Sequence, residues 1–191
     1  MWAKRFPLPE FHHEELKDMQ WVPPTYLSES EINKLIDGQK AGDPSIYGCY
    51  PVQASDEFYG KLNVRGDNKH AVMCVMPDKD VRVLGRSHAW KVQRAFVLDS
   101  LDPESFNAEL LWKTGRPMAT RLGPWDGTTI KGGVLYVVCC HAIKDYFVGN
   151  RTILQKQWQE SSSGHGFAVL SSSEEDLNDF HDCNLYFEWS E

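Results

Sequence analysis

The chain has 191 residues, 41% hydrophobic and 12% aromatic, with 20 Lys and Arg against 27 Asp and Glu and a net charge of −7. A chain of this length buries about 70% of the surface it exposes when unfolded, enough for a core without disulfide or metal staples, and its apolar content excludes a disordered protein. The acidic balance runs against a nucleic-acid footprint, and the longest apolar run, residues 134–140, is far short of the ~20 residues that a membrane-spanning helix needs.

Residues 1–27 read as an irregular lead-in. Trp2, Phe6, Phe11, Trp21 and Tyr26 give it enough aromatic surface to pack on a single body formed by residues 28–191. No apolar stretch follows the basic residues at its start, so it is not a secretion signal. His12 and Glu15 share a helical face but lack a third metal ligand nearby, and the pattern reads as a solvated arm.

The first helix starts at Ser28, with Glu31 three residues on as a capping box. Ile32, Leu35 and Ile36 form its apolar stripe, and Gly38 is its expected stop. From His70 the period changes to two. HAVMCVM and DVRVLG flank the turn residues Pro77, Asp78 and Lys79, which predicts a hairpin. AWKVQRAFVL follows as a strand. DPESFNAELLWKTG predicts a second helix, with Asp102 as N-cap and Pro103 in the first position. Residues 116–133 read as a long loop carrying Trp125 and Asp126.

GGVLYVVCCHAI, residues 132–143, is apolar on both faces up to His141, as in a central strand covered on both sides. Neighbouring residues on a strand point to opposite faces, so Cys139 and His141 share a face and Cys140 does not. KDYFVGNRTILQKQW predicts a hairpin about Gly149 and Asn150, with residues 151–160 reading equally as its second strand or as the start of a helix. The chain closes as strand, helix and strand, with GFAVLS and NLYFEW as the strands, Ser173 as the cap, and parallel or split pairing. The fold class expected is α+β, a mostly antiparallel sheet with about three helices.

Five cysteines, Cys49, Cys74, Cys139, Cys140 and Cys183, stand at irregular spacings. An odd count of this kind suits buried free thiols in a reducing cytoplasm better than a disulfide framework. No CxxC, HExxH, GxSxG or phosphate-binding glycine loop is present, so neither a metal site nor a cofactor is expected. The acidity is local. No Lys or Arg follows Gln157, whereas eight acids do, leaving 20 bases against 19 acids before it.

These features point to a non-enzymatic protein-binding or inhibitor protein. A cytoplasmic immunity-type protein that neutralises a basic toxin or nuclease would have this size and composition. Its partner would present a basic surface. The residues expected to meet that partner are Trp125, Asp126, Glu174, Glu175, Asp176 and Asp179. An enzyme with an uncommon Cys139 and His141 centre is the alternative. Nucleic-acid binding through Arg82, Arg86, Lys91 and Arg94 ranks below it.

Overall fold

The computed structural model describes residues 24–87, 89, 91–113, 126–160, 165–174 and 182–190. Its elements in order are α1 (Glu29–Lys40), a 3-10 turn (Pro44–Ile46), β1 (Gly48–Val52), α2 (Asp56–Lys61), β2 (Val64–Arg65), β3 (Ala71–Val75), β4 (Asp80–Arg86) and β5 (Gln93–Leu98). They continue with β6 (Ala108–Lys113), β7 (Asp126–Lys131), β8 (Val134–Ile143), β9 (Tyr146–Gly149), β10 (Arg151–Glu160), β11 (His165–Ser173) and β12 (Cys183–Trp189). The protein is mostly β, and the described residues hold only two helices and one isolated 3-10 turn. The α+β expectation is therefore corrected: this is a two-sheet protein with helices on one side.

The first sheet, A, runs β1-β3-β8-β5-β6, and β9 joins the C-terminal half of β8 and carries β2. The second, B, runs β10-β11-β12-β4-β7. All pairings are antiparallel except that of β2 with β9. The two sheets face each other across one apolar layer. Cys49, Val72, Cys74, Ala95, Val137 and Cys139 of sheet A meet Val83, Leu170, Leu185, Phe187 and Trp189 of sheet B there. The other face of sheet A carries Ala71, Met73, Val75, Val138 and Cys140. It is covered by Phe58, Tyr59 and Leu62 of the α2 region and by Ile32, Leu35 and Ile36 of α1. The result is a helix layer, sheet A and sheet B in that order.

Strand β8 is buried on both faces, as its apolar run requires. Helix α1 has the complete Ser28 and Glu31 capping box and runs two residues past Gly38. Other elements differ from expectation. HAVMCVM and DVRVLG are both strands, but β3 belongs to sheet A and β4 to sheet B, so Pro77 starts a crossing between layers rather than a hairpin turn. β9 pairs back on β8, and the chain then leaves for sheet B, so no hairpin forms about Gly149 and Asn150.

The second predicted helix is a strand. Asp102 does cap, but only one turn: its side chain accepts from the Glu104 N–H at 3.0 Å and the Ser105 hydroxyl at 3.1 Å. Asn107 is then clamped to Asp99 through its N–H at 2.7 Å and its side-chain amide at 3.0 Å. That clamp reverses the chain, and β6 supplies the free edge of β5 with a partner. The expected long loop ends sooner than predicted, because β7 starts at Asp126 and pairs with β4. Ser173 ends β11, and β11 lies antiparallel beside β12 rather than in the parallel or split pairing expected. The predicted helix after it falls on residues 175–181, outside the described residues, as does most of the lead-in. Among the described residues no helix is long and apolar enough to cross a membrane.

Candidate functional site

His141 and Glu174, chosen from the sequence for unrelated reasons, belong to one buried chain of hydrogen bonds. His141 lies on the sheet-B side of β8, opposite Gln93 of β5. Asn150 is brought to it where the chain passes from β9 to β10. The passage needs Gly149, because a Cβ there would stand 2.7 Å from the Asn68 carbonyl oxygen. The Asn150 N–H donates to the Cys139 carbonyl at 3.0 Å, which fixes the amide at the mouth of the sheet-to-sheet gap.

The donor pattern sets the direction of every bond. Asn150 Nδ2 donates to Gln93 Oε1 at 2.7 Å and to Ser172 Oγ at 3.2 Å. Ser172 passes its own proton to the Cys183 carbonyl at 2.9 Å. Gln93 Nε2 donates to Glu174 Oε1 at 2.9 Å and to the Lys91 carbonyl at 3.2 Å. Asn150 Oδ1 can only accept, so His141 donates to it from Nδ1 across 2.6 Å. This puts a proton on Nδ1, and Nε2 has no partner among the described residues. At the far end the Glu174 N–H donates to Asp182 Oδ2 at 2.7 Å, and Lys91 Nζ stands 3.6 Å from Glu174 Oε2.

The orientation of His141 resembles that of a catalytic base, but its setting is that of a brace. His141, Gln93 and Asn150 are wholly buried. Cys139 shares the face of His141 and is also buried, and it hydrogen-bonds with the Cys183 thiol of the opposite sheet. That contact, followed by burial, pushes the Cys183 thiol well above the ordinary thiol range. Burial likewise raises Cys140. Thiols held protonated inside a core are poor nucleophiles. The chain joins β5, β8 and the β9–β10 passage to β11, and its chemistry as it stands is to lock the two sheets in register.

Of the residues expected at a partner surface, Glu174 is 9% exposed and committed to Gln93, so it is not part of an open acidic face. Asp182 and Glu188 of the same acidic end are 3% exposed; burial raises the Glu188 carboxyl, and Arg82, 4.0 Å away, opposes that shift. Asp126 begins β7. Trp125, Glu175, Asp176 and Asp179 lie outside the described residues. The basic residues proposed for nucleic acid do not form a stripe. Arg82 faces Glu188 on sheet B, Arg94 lies 4.5 Å over the Phe147 ring on the helix side of sheet A, and Lys91 meets Glu174. Sequence reasoning missed Gln93 and Asn150; the one signal is a polar residue set between buried stretches. Among the described residues no group of three or more His, Cys, Asp or Glu side chains is placed to hold a metal ion.

Five of the exposed acids share one corner. Asp56 and Glu57 in the first turn of α2 stand beside the turn that carries Asp99, Asp102 and Glu104, and Lys61 clasps the two. Its Nζ donates to the Pro103 carbonyl at 2.8 Å and lies 3.4 Å from Glu104 and 3.8 Å from Glu57. Hydrogen bonds from Asn107 hold the Asp99 carboxyl below its ordinary range.

No protein-family model matches the sequence, and no curated protein sequence matches it. Thirteen solved chains are similar over part of the fold, three lectins among them. The C-terminal domain of the BC2L-C lectin from Burkholderia cenocepacia is 14% identical, with a TM-score of 0.43, covering 61% of this chain and 92% of that one. The lectin CV2L of Chromobacterium violaceum, solved with α-methyl-fucoside, is 12% identical, with a TM-score of 0.41 and 62% and 96% coverage. The high-affinity mannose-binding lectin of Ralstonia solanacearum is 12% identical, with a TM-score of 0.42 and 66% and 99% coverage. The superpositions are too loose to transfer a binding site. They lend nothing to the immunity-type reading either, and with Glu174, Asp182 and Glu188 turned inward that reading is not carried forward.

Proposed function

We propose that this chain is a binding protein without catalytic activity that engages a protein partner through a basic surface on that partner. The observation that carries the reading is the position of the exposed carboxylates. Glu174, Asp182 and Glu188 of the C-terminal end are buried, whereas Asp56, Glu57, Asp99, Asp102 and Glu104 are exposed at one corner with Lys61 and Lys69 as their nearby cations. Such a corner attracts and orients a cationic surface. Burial of all five thiols and of His141 supports the absence of a Cys/His reaction centre, and free thiols suit a reducing compartment.

The test is affinity capture with chemical cross-linking from cells that express the protein, using the wild type and a Glu57→Lys/Glu104→Lys variant. Both side chains are well exposed, at 61% and 74%, so the fold should tolerate the change. A captured protein cross-linked near α2, released by salt and lost in the variant, fits the reading. Capture unchanged by charge reversal overturns it. So does retention on heparin or on a glycan array with no protein partner.

A further inference from the structure

Cys49 of β1 and Cys74 of β3 stand directly opposite each other in an antiparallel pair, with their sulfurs 3.5 Å apart. Neither is in a disulfide, and both are 1% or less exposed. Opposed residues in antiparallel strands have Cα atoms about 4.5–5.5 Å apart, inside the window of about 4.4–6.8 Å that a disulfide spans. Among the other thiols, Cys139 of β8 and Cys183 of β12 belong to facing sheets and are not opposed across a strand ladder, and Cys140 lies on the opposite face of β8 from Cys139.

Among the described residues β1 is the edge of sheet A, with β3 as its strand partner, and on its outer side the Pro51 carbonyl accepts from the Leu27 N–H at 3.1 Å. A strand with a partner on one side opens more readily than β3 or β8, which are paired on both.

We propose that Cys49 and Cys74 are a redox-active pair that closes to a cross-strand disulfide when the protein meets a low-molecular-weight disulfide oxidant. As β1 opens, Cys49 loses its proton and attacks one sulfur of the oxidant, RSSR. A mixed disulfide forms and RS⁻ leaves. Cys74 loses its proton, attacks the Cys49 sulfur and expels the second RS⁻. The two cysteine protons end on the two RSH molecules, and two electrons pass from the protein to the oxidant. Hydrogen bonding between the two thiols and burial hold Cys74 well above the ordinary thiol range, so closure is slow in the native state and follows the opening of β1.

The experiment is incubation of the full chain with oxidised glutathione, without and with urea below the unfolding midpoint, followed by intact mass and peptide mapping. The expected product is about 2 Da lighter, through loss of two hydrogens, and yields a peptide linking Cys49 to Cys74. The rate should rise at least several-fold in the sub-denaturing urea. The oxidised form should melt about 5–10 °C higher, because the bridge restricts the unfolded chain. Cys49→Ser and Cys74→Ser should each abolish the mass loss while keeping a native spectrum. Mapping on the wild type decides the matter if a variant fails to fold. A bridge between any other pair, a product that stops at the glutathione mixed disulfide, or five thiols still alkylatable in urea would overturn the proposal.

Discussion

Gly166 of β11 and Trp189 of β12 are paired opposite each other, and the indole lies so close over the glycine that a Cβ there would sit 2.5 Å from its Cε2 and Cζ2 atoms. Trp189 is 1% exposed and packs edge-on to Tyr47 at 6.0 Å, so it has no room to swing aside. Gly166→Ala should cost about 1–3 kcal/mol by overpacking. The loss would be read as a lower urea midpoint with an unchanged slope, accompanied by a shift in tryptophan emission.

Asn150→Ala removes two donors and one acceptor from the buried chain at once. The Gln93 carbonyl and the His141 Nδ1–H are left without their partner, at about 1–3 kcal/mol for each orphaned group. A double-mutant cycle with His141→Ala should give a coupling of about 1 kcal/mol or more, because both act through the 2.6 Å bond. Strict additivity in urea unfolding would show that the two residues do not act as one brace.

His70 is 6% exposed, with the Tyr26 hydroxyl 2.6 Å from its Nδ1. Burial, and then the charge of Arg151, pull its imidazole below the ordinary value of 6.5. A depressed base takes up its proton more readily in the unfolded chain. Its contribution to stability is therefore full above about pH 6.5 and declines as the pH falls from there towards the folded value. His70→Gln should flatten this part of the stability–pH curve relative to wild type.

All five thiols should resist iodoacetamide in the native protein and react together once it is unfolded. Alkylation of Cys139 or Cys140 in the folded state, faster than a free thiol, would restore the reading of an enzyme with a Cys/His centre.

Phe58 of α2 is wholly buried and meets Phe106 edge-on, with ring centres 5.1 Å apart. Phe58→Ala should destabilise the protein by about 3–5 kcal/mol. It should also loosen the helix layer first, seen as faster amide exchange in α2 than in β8.

What the sequence revealed was local. The Ser28 and Glu31 box needs only four residues, and the apolar run of β8 reports burial on both faces by itself. What it concealed was the choice of partner. The turn at Pro77 reads the same whether the next strand pairs with the last or crosses to another sheet, and Asp102 caps one turn as well as four. The fate of Ala108–Lys113 was decided by the open edge of β5, a feature of the assembled sheet. The same holds at the site. His141 was visible as a residue type, whereas Gln93 and Asn150 gain meaning only when β5, β8 and the β9–β10 passage converge.

The strand order also dictates a sequence of events during synthesis. Every strand of sheet A has been made once β9 is complete, but sheet B waits for β12, which stands between β11 and β4. Until that strand emerges, the face bearing Val72, Ala95 and Val137 lacks Leu185, Phe187 and Trp189 of its cover. A nascent chain in that condition is sticky, and its yield in the cell will depend on how long chaperones keep that face from other chains.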